Sequence, residues 1–182
     1  MARGSNTVQP IRDTEKLEHM KAVLKRKNYR DYLLFVVGIN TGLRISDLLQ
    51  LKVGHTKNSH IIITEGKTGK IKRFPINSNL RELLDEYTIG MSDDDYLFPS
   101  RKGEHIGRVQ AYRILNDAAK EVGLDEIGTH TLRKTFGYHH YQRYKDVALL
   151  QEIFNHSSPS ITLRYIGINQ DAIDASLAGF FI

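Results

Sequence analysis

Apolar residues recur at helical spacing along most of the chain. Residues 14–27 place apolar side chains three and four positions apart, which predicts an amphipathic helix that Asp13 or Thr14 caps. The run YLLFVVGI within residues 29–40 is apolar on all sides, and Gly42 follows it. This pattern predicts a buried helix that ends near the glycine. A short third helix is predicted at residues 45–50.

The pattern changes to that of strands after this third helix. Residues 59–64 and 71–76 are β-branched or alternate in polarity, and a glycine-containing turn joins them. They predict an antiparallel hairpin. Helical spacing then returns, and it predicts helices at residues 78–87, 108–122, 131–144, 147–154, 159–165 and 171–177. The predicted fold class is mainly α with a small antiparallel β-sheet (α+β).

The two ends of the chain differ from the rest. Residues 1–12 are rich in small and polar residues and show no periodicity, so we expect a flexible lead-in. The remainder, residues 13–182, has the length of one domain with a single core. Residues 178–182, AGFFI, are unusually apolar for a terminus. They either cover the protein's own core or contact another molecule.

Composition excludes several classes of site. The chain has no cysteine, so it forms no disulfide, cysteine-ligated zinc site or cysteine nucleophile. No apolar run reaches membrane-spanning length, and no signal-peptide core follows the basic N-terminus. We therefore expect a cytoplasmic protein without a membrane partner. The net charge of +5 modestly favours a polyanionic partner such as nucleic acid.

Two basic segments precede the middle of the chain. In TGLRISDLLQL, Arg44 follows a helix-ending glycine, and it has either a chemical role or a structural pairing with Asp47 one turn later. In EGKTGK, the Gly-Lys-Thr triplet is not a phosphate-binding loop, because the position six residues before Lys67 is Ile61, inside a strand. Lysines of this hairpin are otherwise expected to be simply solvated.

Two further segments lie nearer the C-terminus. In THTLR, His130 and Arg133 are three positions apart and would share a helix face, and Thr129 is a plausible N-cap. Arginine, histidine and free N–H groups at one helix start favour an anion site, and the alternative is a capped surface helix. In NHSSPSITLRY, Tyr165 follows His156 by nine residues. One tyrosine among nine is more often a packing residue.

The order of these segments is more specific than any one of them. Arginine, hairpin lysine, His-x-x-Arg, histidine and tyrosine follow one another in a way that resembles the catalytic domain of the tyrosine recombinase (phage integrase) family. The resemblance covers residues 14–170 and looks closest to integrases of phages and integrative elements of Gram-positive bacteria. The family often has glycine at the position of Asn155 and histidine at that of Lys134. Neither position carries a catalytic group.

The resemblance implies a role for each matching residue. Tyr165 would attack the scissile phosphate and form a 3′-phosphotyrosyl link. The groups that would assist it are Arg44 and Arg133 at the phosphate oxygens, His130 and His156 in hydrogen bonding and proton movement, and Lys67 as general acid, with Lys70 as second choice. Asp47 would support the site. The candidate DNA-binding residues are Lys70, Lys72, Arg73, Lys134 and Arg164.

The resemblance also implies partners and requirements. It implies duplex DNA as substrate, no cofactor, no metal and no ATP, and further recombinase subunits in a tetramer with exchange of residues 166–182. Cationic surroundings are expected to favour the phenolate of Tyr165. Such proteins usually carry an N-terminal core-binding domain, which we expect these 182 residues to lack. Weak, salt-sensitive DNA binding would follow.

Three other functions are alternatives to this one. A type IB topoisomerase-like enzyme would use the same chemistry to relax DNA. A catalytically idle DNA-binding module would have no reason to keep all six candidate catalytic residues. A metal-dependent nuclease would need clustered carboxylates, which the sequence does not show. The adjacent His139 and His140 cannot both face one metal site on a helix, and HExxH does not occur.

Overall fold

Nine α-helices and one β-hairpin make up the part of the chain that the structure describes, residues 8–125 and 127–181 of a computed structural model. In chain order the elements are α1 (Thr14–Lys27), α2 (Tyr29–Thr41), α3 (Ile45–Leu49), β1 (His60–Thr64), β2 (Ile71–Pro75), α4 (Ser78–Tyr87), α5 (Arg108–Glu121), α6 (Thr131–Tyr144), α7 (Val147–Phe154), α8 (Pro159–Tyr165) and α9 (Ile168–Leu177). The predicted fold class, mainly α with a small antiparallel sheet, is confirmed.

Local sequence signals account for the helix ends. The side chain of Asp13 accepts hydrogen bonds from the N–H groups of Glu15 and Lys16 and caps α1. Gly42 ends α2 with φ of +64°, a left-handed conformation that glycine adopts without strain. This turn sends the chain directly into the segment that carries Arg44.

Helix α2 is the centre of the main core. It packs against α1, α4 and α6, and its run Leu33 to Val37 is buried. A second, smaller cluster joins α6, α7 and α8 through Leu150, Phe154 and Ile166. The side chain of Tyr165 packs against this second cluster, so the position of α8 depends on the packing of the cluster.

Each strand of the hairpin contributes a buried side chain to the main core. Its strands pair antiparallel with His60 opposite Pro75 and Thr64 opposite Ile71. Ile61 and Phe74 face each other across the pair and are both buried. These two side chains anchor the hairpin, while its tip, residues 66–70, is exposed.

Residues 8–12 differ from the flexible lead-in that the sequence predicts. Ile11 is only 1% exposed, and its N–H donates to Thr135 Oγ1 on α6 at 2.9 Å. Arg12 forms an ion pair of 2.9 Å with Asp171 on α9. The apolar side chain of Ile11 and the paired charge of Arg12 hold this segment against the domain. Residues 1–7 of the expected lead-in lie outside the described residues.

The other departures are small. A short 3-10 helix at Val53–Thr56 was not predicted, and α9 begins three residues earlier than expected. No residue of α9 is buried, and the apolar side chains of Ile173, Leu177, Phe180 and Phe181 are 49–96% exposed. In the described chain they do not cover the protein's own core. No helix within residues 8–125 and 127–181 is long and apolar enough to cross a membrane.

The contact of α6 with α7 and α8 depends on Gly137. A Cβ atom built at this position would lie 2.6 Å from Ile166 Cγ2 and 2.7 Å from Phe154 Cε2. Overpacking of this kind costs about 1–3 kcal/mol, which exceeds the ~1 kcal/mol that alanine gains in helix propensity. We expect Gly137→Ala to lower the free energy of unfolding in urea, by on the order of 1 kcal/mol.

The matched control is Gly179→Ala, because nothing lies within 4 Å of a Cβ atom built there. Its free energy of unfolding should stay within ~0.5 kcal/mol of the wild-type value. A Gly137→Ala protein as stable as the wild type would contradict the close packing of these helices.

Candidate active site

The side chain of Arg133 lies inside the protein. It is 4% exposed, and its guanidinium donates to two backbone carbonyls: Nη1 to Gly42 at 2.6 Å and Nη2 to Phe154 at 3.0 Å. The guanidinium carbon also lies 4.3 Å from the centroid of the Phe154 ring, a cation–π contact. Arg133 therefore joins the end of α2 to the end of α7.

The second arginine is held by a carboxylate that the sequence patterns do not reveal. Arg44 Nη1 lies 2.6 Å from Oε1 of Glu65, and Glu65 is 1% exposed. Burial alone would raise the pKa of Glu65, but the Thr68 hydroxyl and Arg44 together hold it below its ordinary value. The alternative pairing of Arg44 with Asp47 is therefore not the one observed.

Asp47 instead supports the hairpin. Its Oδ1 accepts a hydrogen bond of 3.0 Å from the N–H of Gly66, the residue before Lys67. Asp47 is 8% exposed, and its Oδ2 has no hydrogen-bond partner among the described residues. One buried carboxylate thus connects α3 to the start of the hairpin tip.

The hairpin lysines lie in different environments. Lys67 is exposed, and among the described residues its ammonium group has no ion pair or hydrogen bond. Lys70 Nζ donates to Asn155 Oδ1 at 3.2 Å, and Lys72 Nζ donates to the carbonyl of Glu152 at 3.1 Å. Lys67 is therefore the hairpin lysine whose ammonium group is available to a ligand.

Tyr165 lies at the end of α8 beside both histidines. Its hydroxyl is 3.5 Å from His130 Nδ1, and its ring centroid is 5.1 Å from that of His156. The Phe154 ring lies 5.6 Å away, edge to face, and Lys134 Nζ lies 5.1 Å from the centroid of the Tyr165 ring. Side chains from α6, α7 and the α7–α8 connection thus surround one tyrosine.

Two opposed effects act on the hydroxyl of Tyr165. Burial raises the pKa of Tyr165 above its ordinary value, and the charges of Arg133 and Arg44 only partly offset this. The cations do favour the phenolate, as expected, but the desolvation of the hydroxyl outweighs their attraction, so the net shift of the pKa is upward. The tyrosine is protonated at neutral pH, so attack on a phosphate requires a proton acceptor.

The N-cap residue of α6 differs from the predicted one. His130 itself occupies the N-cap position, which we predicted for Thr129, and its side chain makes no capping hydrogen bond. The Thr131 hydroxyl accepts the N–H of Gly128 instead, at 2.9 Å. His130 has helical backbone angles, with φ of −83° and ψ of −13°. Its ring and the Arg133 guanidinium both act on Tyr165, whose hydroxyl lies 3.5 Å from His130 Nδ1.

Both histidines are neutral at neutral pH. Desolvation lowers the pKa of His130, and the charges of Lys134 and Arg108 lower it further. Burial, then Arg133 and Arg44, lower the pKa of His156, whose Nδ1 lies 3.0 Å from Thr162 Oγ1. A neutral imidazole has one nitrogen free to accept a proton.

The remaining candidate DNA-binding residues differ in exposure and in their partners. Arg164 is exposed beside Tyr165, and Arg73 is exposed with Nη2 3.3 Å from His60 Nδ1. Lys134 is half-buried and donates to the carbonyl of Val8 at 2.8 Å, so it points towards the protein. Its role as a DNA contact stays a prediction.

Asn155 shows why a departure from the family pattern is tolerated. It follows α7 with φ of +57°, in the left-handed region. Glycine adopts this conformation without strain, and asparagine is among the few other residues that tolerate it. The asparagine also supplies side-chain contacts to Lys70 and Glu65 that glycine lacks.

The histidines give no indication of a metal site. Within residues 8–125 and 127–181, no three side chains of histidine, cysteine, aspartate or glutamate are grouped as metal ligands. His139 Nε2 is hydrogen-bonded to the carbonyl of Ile11 at 2.9 Å, and the ring of His140 lies between Phe136 and Tyr144.

The depressed histidine pKa values can be measured by NMR. We expect the ring signals of His130 and His156 to titrate below the ordinary value of ~6.5. Because the folded state binds these protons less tightly than the unfolded chain, the free energy of unfolding should fall as the pH drops below ~6.5. Lys134→Met should raise the pKa of His130 and leave that of His156 unchanged.

Titration of both rings at or above the value in urea-unfolded protein would contradict the described environment. A Lys134→Met variant with an unchanged His130 midpoint would show that Lys134 does not act on this ring.

Comparison with known proteins places the chain among DNA recombinases. The sequence matches the phage integrase family over residues 12–171. It is 55% identical over 175 residues to the probable integrase/recombinase YoeC of Bacillus subtilis, covering 95% of this chain and 97% of that protein. It is 29% identical to the tyrosine recombinase XerD of Chlamydia pneumoniae, over 80% of this chain and 50% of that protein. The chain thus spans nearly all of YoeC but half of XerD.

Solved structures show the same fold. The XerA recombinase matches with a TM-score of 0.75 at 22% identity, over 98% of this chain and 66% of that one. The XerH recombinase in a pre-cleavage complex with its difH substrate matches with a TM-score of 0.72 at 25% identity, over 91% of this chain and 54% of that one. The sequence match covers every candidate catalytic residue from Arg44 to Tyr165. The chain therefore belongs to the phage integrase family of tyrosine recombinases.

Proposed function

We propose that this protein breaks and rejoins duplex DNA as a site-specific recombinase, with Tyr165 as the covalent nucleophile. The observation that carries the proposal is the position of the Tyr165 hydroxyl, 3.5 Å from a neutral histidine and close to the charges of the buried Arg133 and the partly buried Arg44. Family membership supports the same reaction. The roles of the individual residues are part of the proposal.

In the first step the Tyr165 oxygen attacks the scissile phosphorus and the bond to the 5′ oxygen breaks. A phosphotyrosyl ester forms at the 3′ end, and the phenolic proton passes to His130, the nearest ring nitrogen. Rejoining is the reverse reaction, in which a 5′ hydroxyl attacks the ester. The ester conserves the energy of the broken phosphodiester, so no ATP is needed.

Charge on the phosphate oxygens is stabilised by the two arginines. The Arg133 guanidinium has more N–H donors than its two carbonyl partners occupy, so the others can bind phosphate oxygens. Arg44, held in place by its ion pair with Glu65, supplies a second positive charge to the phosphate oxygens. His156 donates a further hydrogen bond to them. Prearranged cations of this kind substitute for the metal ions of other nucleases.

Lys67 is the general acid for the leaving 5′ oxygen. It is the exposed lysine at the hairpin tip, whereas Lys70 is hydrogen-bonded to Asn155 and Lys72 to the carbonyl of Glu152. This difference favours Lys67 over Lys70, the second choice. Because the hairpin tip is exposed, it can also adjust its position to contact bound DNA.

The partners in this proposal are duplex DNA and further copies of the chain. Among the related structures, XerH is bound to its difH substrate and a lambda integrase dimer is bound to a core site. We extend this to a tetramer on DNA, acting in the cytoplasm. The exposed apolar side chains of the C-terminal segment, Ile173, Leu177, Phe180 and Phe181, would dock on a neighbouring subunit.

A pool of nicked duplexes with randomised cores tests the reaction and selects the target sequence in one step. The pool is incubated with the protein in EDTA, and covalent complexes are separated on a denaturing gel. Because the nick lets the cleaved fragment diffuse away, the phosphotyrosyl adduct accumulates. We expect an adduct with the wild type, none with Tyr165→Phe, and an adduct with Tyr144→Phe, a control that removes an exposed hydroxyl on α6.

Sequencing of the captured DNA then defines one duplex for further assays. An adduct that persists in Tyr165→Phe would overturn the assignment of the nucleophile. The lack of any adduct from the pool, or a strict requirement for a divalent metal, would overturn the proposed reaction.

A further inference from the structure

The carboxylate of Glu65 connects three segments of the candidate active site. Oε1 pairs with Arg44 at 2.6 Å, and Oε2 accepts hydrogen bonds from the Thr68 hydroxyl at 2.8 Å and from Asn155 Nδ2 at 3.3 Å. These partners belong to the α2–α3 junction, the hairpin tip and the turn before His156. Each segment carries one of the proposed catalytic groups.

The backbone of Glu65 closes the base of the hairpin tip as well. Its N–H donates to the carbonyl of Lys70 at 2.9 Å, and its carbonyl accepts from the N–H of Gly69 at 2.8 Å. Lys67 lies between these contacts, and its own ammonium group has no partner among the described residues. The position of the Lys67 backbone is therefore set by its neighbours.

Burial makes these contacts obligatory. Glu65 is 1% exposed, and a buried carboxylate is costly unless paired and hydrogen-bonded. Both of its oxygens have partners, and the pKa of Glu65 lies below its ordinary value, so the side chain is charged at neutral pH. A salt bridge with Arg44 alone would leave Oε2 without a partner.

We propose that Glu65 is a positioning residue, whose carboxylate holds the Arg44 guanidinium and, through Thr68, the hairpin tip that carries Lys67. This inference rests on the proposed function, because it assigns Glu65 to the placement of the general acid and the phosphate clamp. Glu65 itself does not touch the DNA. Thr68, adjacent to Lys67, is the link between the carboxylate and the general acid.

The chemistry of the leaving group separates this role from a merely structural one. A 5′ alkoxide is a poor leaving group without a proton, so cleavage depends on the placement of Lys67. A 5′ thiolate leaves without a proton, since thiols have a pKa of ~8.5. On a nicked duplex with sulfur in place of the bridging 5′ oxygen, a misplaced general acid should therefore not slow cleavage, whereas a misplaced arginine should still slow it.

The test compares adduct formation on the oxygen and sulfur versions of the captured duplex. Lys67→Ala should slow cleavage of the oxygen substrate by ~10²–10⁴-fold and recover on sulfur. Thr68→Val removes the hydrogen bond to Glu65. It should slow cleavage of the oxygen substrate by about tenfold or more, which is a fraction of the effect of Lys67→Ala. It should leave the sulfur substrate within about threefold of wild type, and Thr68→Ser should behave as wild type.

Glu65→Gln should slow both substrates, and oxygen more than sulfur, because it releases Arg44 together with the tip. Glu121→Gln is the matched control, since Glu121 on α5 is ion-paired with Arg26 and Lys27 on α1, outside the candidate site. It should match wild type on both substrates. Thr68 is exposed, so its variants test the proposal even if Glu65→Gln does not fold.

Two results would overturn the inference alone. In the first, Thr68→Val cleaves the oxygen substrate at the wild-type rate. In the second, Thr68→Val slows cleavage of both substrates equally, while sulfur still rescues Lys67→Ala. A Lys67→Ala variant that sulfur does not rescue would instead overturn the proposed general acid. A wild type without an adduct would overturn the proposed reaction itself.

Discussion

The guanidinium of Arg133 binds two backbone carbonyls that lie far apart in the sequence, those of Gly42 and Phe154. Both carbonyls belong to helix ends, where backbone groups lack partners within the helix. By satisfying them inside the protein, Arg133 fixes the end of α2, which leads to Arg44, relative to the end of α7, which leads to His156. One buried side chain thus sets the relative positions of the segments that carry Arg44 and His156.

Burial has opposite effects on the two kinds of group around Arg133. Desolvation raises the pKa of Tyr165 and, with the neighbouring cations, lowers the pKa of both histidines, so in the free protein the tyrosine is protonated and a neutral imidazole lies beside it. The charge of Arg44 is balanced by Glu65 rather than by solvent. A phosphate entering this site would meet fixed cations whose geometry is already set, which is the condition for strong transition-state stabilisation.

The sequence predicted the elements well because their signals are local. Cap residues and apolar spacing gave most helix boundaries within a few residues, and the order of the segments gave the family. It did not reveal Glu65, because that carboxylate acquires its role through a contact with Arg44 across 21 positions of chain. Nor did it reveal the net upward shift of the Tyr165 pKa, since desolvation depends on packing that spacing does not give. The prediction of Thr129 as the N-cap of α6 was wrong, because the residue at which this helix begins depends on packing that the local sequence does not give.

The central claim is that Tyr165, one of nine tyrosines, is the residue that forms the bond to DNA. Trypsin digestion of the covalent complex, followed by mass spectrometry, tests it directly. No lysine or arginine follows Arg164, so the modified peptide should be the C-terminal one that begins at Tyr165. We predict a nucleotide remnant on this peptide and on its first residue. A remnant on any other tyrosine, or on a serine, would contradict the claim.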